Sequence, residues 1–219
     1  MPELGPVRPH RLWRIWLFIS LALLASSVFA GAQQNEPISA SLRSLLQKEI
    51  SDQASSLEAF ASKEEQSQWL NQLIRPLSAL MKQAQTREEF LLAVHYEAKR
   101  AGLDPLMVIG LIEVESGFRK YAISSAGARG FMQVMPFWMA KIGDSKANLF
   151  HLRTNLRFGC TILRYYLKQE NNDLFRALGR YNGSLGAAAY PNMVVGAWKR
   201  WQRIAGTASQ PTPPHPISH

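Results

Sequence analysis

The residues best suited to chemistry form one short stretch, Ile112-Glu113-Val114-Glu115-Ser116-Gly117-Phe118, followed by Gly127-Ala128-Arg129-Gly130-Phe131-Met132-Gln133. Asp104 and Pro105 open the stretch as an N-cap residue and a proline at the first helical position, where its missing N–H costs nothing. Leu106, Met107, Val108, Ile109, Leu111, Ile112 and Val114 leave no polar face before the glutamates, so this helix is expected to be buried almost all round. Glu113 and Glu115 stand two positions apart, which at about 3.6 residues per turn sends them to roughly opposite sides. They cannot both line one cleft.

Glu115 is the better candidate for acid chemistry. It lies in the last turn, where helix carbonyls and apolar neighbours both disfavour a negative charge and raise the carboxyl's pKa. A glutamic acid held neutral near pH 7 is the kind of group that protonates a glycosidic oxygen. The plainer alternative leaves both glutamates at the helix edge in water, and this stretch alone does not choose. After it, Gly127 and Gly130 permit a loop to lie against the helix end. Gln133 carries a donor and an acceptor, suited to a sugar hydroxyl or an N-acetyl group, although these residues by themselves favour a solvated loop with a capping glutamine.

The elements that must position these groups are all helical. Between Gln33 and Gln85, Leu42, Leu45, Leu46 and Ile50 recur at helical spacing, and Trp69, Leu70, Leu73, Ile74, Leu77, Leu80 and Met81 do so more strongly. Ser62 with Glu65 forms a capping box, and Pro76 should kink or break the second run. Thr86 with Glu89 reads as another capping box, opening a helix with Phe90, Leu91, Val94 and Ala98 inward and Gly102 at its end. His95 within it is a packing residue. Pro136 starts a short helix ended by Gly143, with Trp138 in the core. Asn155 to Gln169 is amphipathic through Leu156, Cys160, Leu163 and Leu167. Asp173 caps a helix that delivers Tyr181 and Asn182, and a final helix, about Asn192 to Ile204, turns Val194, Ala197, Trp198 and Trp201 inward.

With 219 residues, 47% hydrophobic and 19% charged, the chain accommodates one well-buried domain plus an appendage. Its 25 basic against 16 acidic residues give a formal charge of +9, which favours anionic partners. The basic residues form no arm or nucleic-acid motif, so no nucleic acid is expected; an anionic polymer of the cell envelope fits instead. The single cysteine, Cys160, excludes an intramolecular disulfide and reads as a buried thiol. The five histidines lack metal-ligand spacing, so neither metal nor cofactor is expected.

Arg8, His10, Arg11 and Arg14 precede the apolar run Ile15 to Ala25, and small residues follow: a secretory signal peptide cleaved after Ala30 or Ala32. The run is short of the ~20 residues a bilayer span needs. No cysteine near its exit offers a lipid anchor, so the mature protein is expected in the periplasm as a monomer. The expected division is 1–30 signal peptide, 31–85 helical N-terminal segment, 86–205 catalytic domain and 206–219 disordered tail.

From Phe90 to Trp201 the chain resembles the lytic transglycosylases of the soluble-transglycosylase (SLT) type. The resemblance rests on Glu115-Ser116-Gly117-Phe118, on Gly130-Phe131-Met132-Gln133 with Met135-Pro136, and on Ala177-Leu178-Gly179-Arg180-Tyr181-Asn182. It implies an all-α, lysozyme-like fold with Glu115 as catalytic acid and Ser116, Met132, Gln133, Tyr181 and Asn182 around the substrate. The resemblance also places the Tyr181 hydroxyl near the acid, to orient its carboxyl and stabilise positive charge on the sugar. Asn182 would hold the turn. The family's usual Ala-Gly-Pro-Gly is replaced by Gly183-Ser184-Leu185-Gly186, which alters one wall of the groove.

Beyond Leu103 the only acids are Asp104, Glu113, Glu115, Asp144, Glu170 and Asp173, and none but Glu115 has a position suited to catalysis. Ordinary glycoside hydrolases use two carboxylates. One acid suits a reaction whose nucleophile comes from the substrate. The resemblance implies non-hydrolytic cleavage between N-acetylmuramic acid and N-acetylglucosamine in peptidoglycan, leaving 1,6-anhydro ends. A lysozyme-type muramidase and a non-catalytic peptidoglycan-binding or assembly protein are the alternatives. Peptidoglycan glycan strands are the expected partner, with room for a protein partner from an envelope machine.

Overall fold

The computed structural model describes residues 33–51, 60–142 and 146–208. These form eight helices: α1 (Ala40–Ser51), α2 (Lys63–Leu77), α3 (Ala84–Arg100), α4 (Pro105–Ser116), α5 (Phe137–Ile142), α6 (Leu152–Gln169), α7 (Leu174–Asn182) and α8 (Ala189–Ala208). There is no strand among the described residues, only isolated backbone bridges that pair Arg129 with Ile123 and Val134 in the loop after α4. The signal-peptide reading and the region from Ser209 lie outside them.

α4 is the axis. Asp104 accepts from the N–H groups of Leu106 and Met107, so the helix starts where the sequence places it, and Gly117 ends it in the left-handed conformation. Its apolar residues from Met107 to Ile112 are buried, with α8 packed closely across it. That crossing depends on Gly110, where an added Cβ would meet the Trp198 backbone nitrogen at 2.7 Å.

Helix starts account for most differences from the sequence expectations. Ser62 caps α2 as expected, although the Glu65 carboxylate accepts from Ala61 N–H rather than from the cap residue itself. Pro76 sits in the last turn of α2, which ends one residue later at Leu77. The Thr86–Glu89 box does not form. α3 begins at Ala84 because Ala84 and Gln85 favour helix more than threonine does, and the Thr86 hydroxyl bonds to Gln83 Oε1 instead. α6 begins at Leu152, and α8 extends beyond Asn192–Ile204 at both ends, with Pro191 tolerated in a first turn whose N–H groups have no intrahelical partner.

Two buried polar clusters join the N-terminal helices to the rest. Phe60 stacks on His95 with ring centroids 3.8 Å apart, and Trp69 meets the same imidazole edge-on while donating to Leu91 O. Burial, aided by the Lys99 charge, lowers the His95 pKa to about 4. Glu97, fully buried, accepts from the guanidinium groups of Arg100 and Arg157 and so ties α3 to α6. Arg100 reaches on to Glu49 in α1.

Candidate active site

Glu115 occupies the last turn of α4 with only 9% of its surface exposed. The Tyr190 hydroxyl, from the first turn of α8, donates to Oε1 at 2.5 Å, while Oε2 is buried and has no hydrogen-bond partner. Burial pushes the Glu115 pKa up to about 8, and the Tyr190 hydrogen bond offsets this only in part. The carboxyl is therefore protonated at pH 7. Because Oε1 already accepts from Tyr190, the proton belongs on Oε2, the oxygen free to donate.

Glu113 faces elsewhere, as the helical spacing requires. Its carboxylate accepts from Arg200 Nη2 and Trp201 Nε1, both at 2.7 Å. Asp104 and Asp173 cap α4 and α7, and Glu170 lies between Arg176 and Arg180, whose hydrogen bonds hold its pKa below the usual range. Asp144 lies outside the described residues.

The other predicted site residues divide into two groups. Met132, Gln133 and Tyr181 come together: the Tyr181 hydroxyl donates to Met132 O at 2.7 Å, and its phenol is raised by burial and by the nearby Glu115. Gln133 is held at a φ of +48°, a costly conformation for a residue with a side chain, and its amide nitrogen donates to Gly130 O and Ala122 O. Asn155 fixes this loop from α6, accepting from Met132 N–H and donating to Arg129 O and Leu149 O. Ser116 and Asn182 form the second group. The Ser116 hydroxyl donates back to Ile112 O, and Asn182 is buried with Nδ2 unpartnered.

One expectation is corrected. The hydroxyl that holds the carboxyl belongs to Tyr190, since that of Tyr181 is spent on Met132 O. Tyr190 escaped the sequence reading because the last helix is expected there only from about Asn192, two positions after it. With the helix started before it, Tyr190, Val194, Ala197 and Trp201 fall on one face.

A model of the transglycosylase SLT domain matches residues 92–203, just over half of the chain. The chain belongs to this family. The helices within the matched span accordingly form the SLT domain's lysozyme-like fold, and Glu115, Gln133 and Tyr181 all lie inside it. The SLT match is accompanied by relatives named membrane-bound lytic murein transglycosylase C. That of Histophilus somni is 33% identical over 116 residues, 46% of this chain and 32% of the relative. That of Mannheimia succiniciproducens is 29% identical over 116 residues, 45% of this chain and 32% of the relative. A shorter stretch of 48 residues is 48% identical to the protein of Actinobacillus pleuropneumoniae, covering 22% of this chain and 13% of the relative. The chain thus spans a third or less of the curated relatives it matches.

Proposed function

We propose that this chain is a peptidoglycan lytic transglycosylase with Glu115 as general acid and then general base. The observation that carries the reading is a buried, neutral Glu115 with one oxygen held by Tyr190 and the other unpartnered, while Glu113, Asp104, Glu170 and Asp173, the other acids beyond Leu103 among the described residues, are engaged elsewhere. Oε2–H protonates the oxygen between N-acetylmuramic acid and N-acetylglucosamine as the C1–O bond breaks. The resulting Glu115 carboxylate is stabilised by the Tyr190 hydroxyl. It then takes the proton from the muramoyl 6-hydroxyl, whose oxygen attacks C1 and closes a 1,6-anhydro ring. The acid is restored without water. Single-acid chemistry of this kind needs the substrate to supply its own nucleophile.

Around the acid, Gln133 and Tyr181 form the wall against which the sugar is bound, and Met132 sets their spacing. Ser116 and Asn182 act by holding the α4 and α7 turns. Residues 86–205 constitute the catalytic domain and residues 31–85 a helical N-terminal segment, of which α1 and α2 pack on that domain. The names of the relatives support an envelope location, reached here through a cleaved signal peptide. Among the described residues no helix is long and apolar enough to cross a membrane.

Mass spectrometry of fragments released from purified peptidoglycan tests this reading, with Glu115→Gln alongside. Anhydromuropeptides from the wild type alone are expected. Reducing muropeptides would identify a muramidase, and no release by either chain would assign a binding role.

A further inference from the structure

The extended segment before α1 enters the candidate site, where the proposed chemistry gives it no role. Gln33 is 3% exposed, and its carboxamide lies between two backbone groups of the Gln133 loop. Nε2 donates to Gln133 O and Oε1 accepts from Met135 N–H, both at 3.3 Å. The same side chain is near enough to the Tyr181 phenol to favour its ionised form, against the burial and the Glu115 charge that raise its pKa. Three residues further on, Glu36 O accepts from Lys141 Nζ on α5, and the Glu36 carboxylate pairs with Arg180 on α7 at 3.2 Å. The segment is thus fastened at Gln33 to the loop and at Glu36 to α5 and α7.

A backbone C=O and N–H offered side by side recognise an amide, because each amide presents one acceptor and at least one donor. The acetamido group of an N-acetylated sugar carries the same pair of functions as the Gln33 carboxamide. At 3.3 Å both Gln33 contacts lie beyond the usual hydrogen-bond range, so an occupant with better-placed groups can replace them.

We propose that residues 33–39 are an autoinhibitory strap, in which the Gln33 carboxamide occupies the position of a substrate acetamido group and must be displaced for glycan to bind beside Glu115. The inference rests on the glycan-cleaving reading of the site. Each fraction of time that the strap is seated reduces apparent glycan affinity in proportion.

Calorimetric titration with chitopentaose, an N-acetylglucosamine oligosaccharide, separates the two. In a Glu115→Gln background, adding Gln33→Ala is expected to lower Kd by roughly five- to thirtyfold, the scale of one or two net hydrogen bonds. Glu36→Ala, which loosens the strap but keeps the carboxamide, should shift Kd in the same direction by less. With Glu115 intact, Gln33→Ala should lower KM and leave kcat unchanged. Equal or weaker binding by the Gln33→Ala chain, with its melting temperature preserved, overturns the strap alone. Binding by none of the chains overturns both the strap and the glycan-cleaving reading.

Discussion

Glu97 and Glu115 are both glutamates buried within helices, and their surroundings give them opposite uses. Glu97 accepts from two guanidinium groups, Arg100 and Arg157, so its charge is matched where it is buried. Glu115 receives one hydrogen bond from a neutral hydroxyl and is held as an acid with a pKa near 8. Burial alone therefore does not make a proton donor. The charge of the partner decides, because an unmatched buried carboxylate is too costly to keep while a matched one locks two helices together.

Replacing each carboxyl by an amide should separate the two roles. The largest expected effect is on turnover: Glu115→Gln should cut glycan cleavage by about 10³-fold or more, read as anhydromuropeptide release. Its stability should move the other way. The unfolded carboxyl ionises above about 4.5 whereas the folded one keeps its proton to about 8, so the wild type loses stability as pH rises through that window. Glu115→Gln removes this loss and should be more stable by about 3 kcal/mol at pH 7, an advantage that vanishes below pH 4.5 in denaturant titrations.

Glu97→Gln should do the reverse. Removing the buried charge that Arg100 and Arg157 share, of which only Arg100 keeps a carboxylate at Glu49, should cost about 3 kcal/mol of unfolding free energy, with turnover per folded molecule unchanged. Tyr190→Phe falls between the two. Losing the hydrogen bond to the carboxylate formed after proton transfer should slow turnover by roughly ten- to a hundredfold. Because that bond lowers the Glu115 pKa, the alkaline limb of the pH–rate profile should move to higher pH. The smallest effect belongs to Glu113→Gln, whose partner Arg200 is 47% exposed on its side chain: a change below about 1 kcal/mol and none in activity.

The helical fold was legible from periodicity, and Glu115 from its place at the end of an apolar run bounded by Asp104-Pro105 and Ser116-Gly117. Those signals are local, and local physics governs caps and faces. Tyr190 and Gln33 were not legible, because they reach the site across 75 and 100 residues of chain, to Glu115 and Gln133 respectively. Nothing within a few positions of either reports that contact. The last helix, expected from about Asn192, begins at Ala189 and so brings Tyr190 onto its inward face. The Thr86 box failed for a related reason: two good helix formers ahead of it moved the start.

The closure of α8 over α4, made through Gly110, also sets a time order on the chain's birth. Glu115 is synthesised well before Tyr190 and the helix that shields it, so an emerging or unfolded polypeptide carries an ordinary surface-type carboxyl at that position. The proton-donating form comes into being only when the last helix docks. A chain still unfolded therefore carries the residue without its raised pKa, which arises only at the moment of final folding.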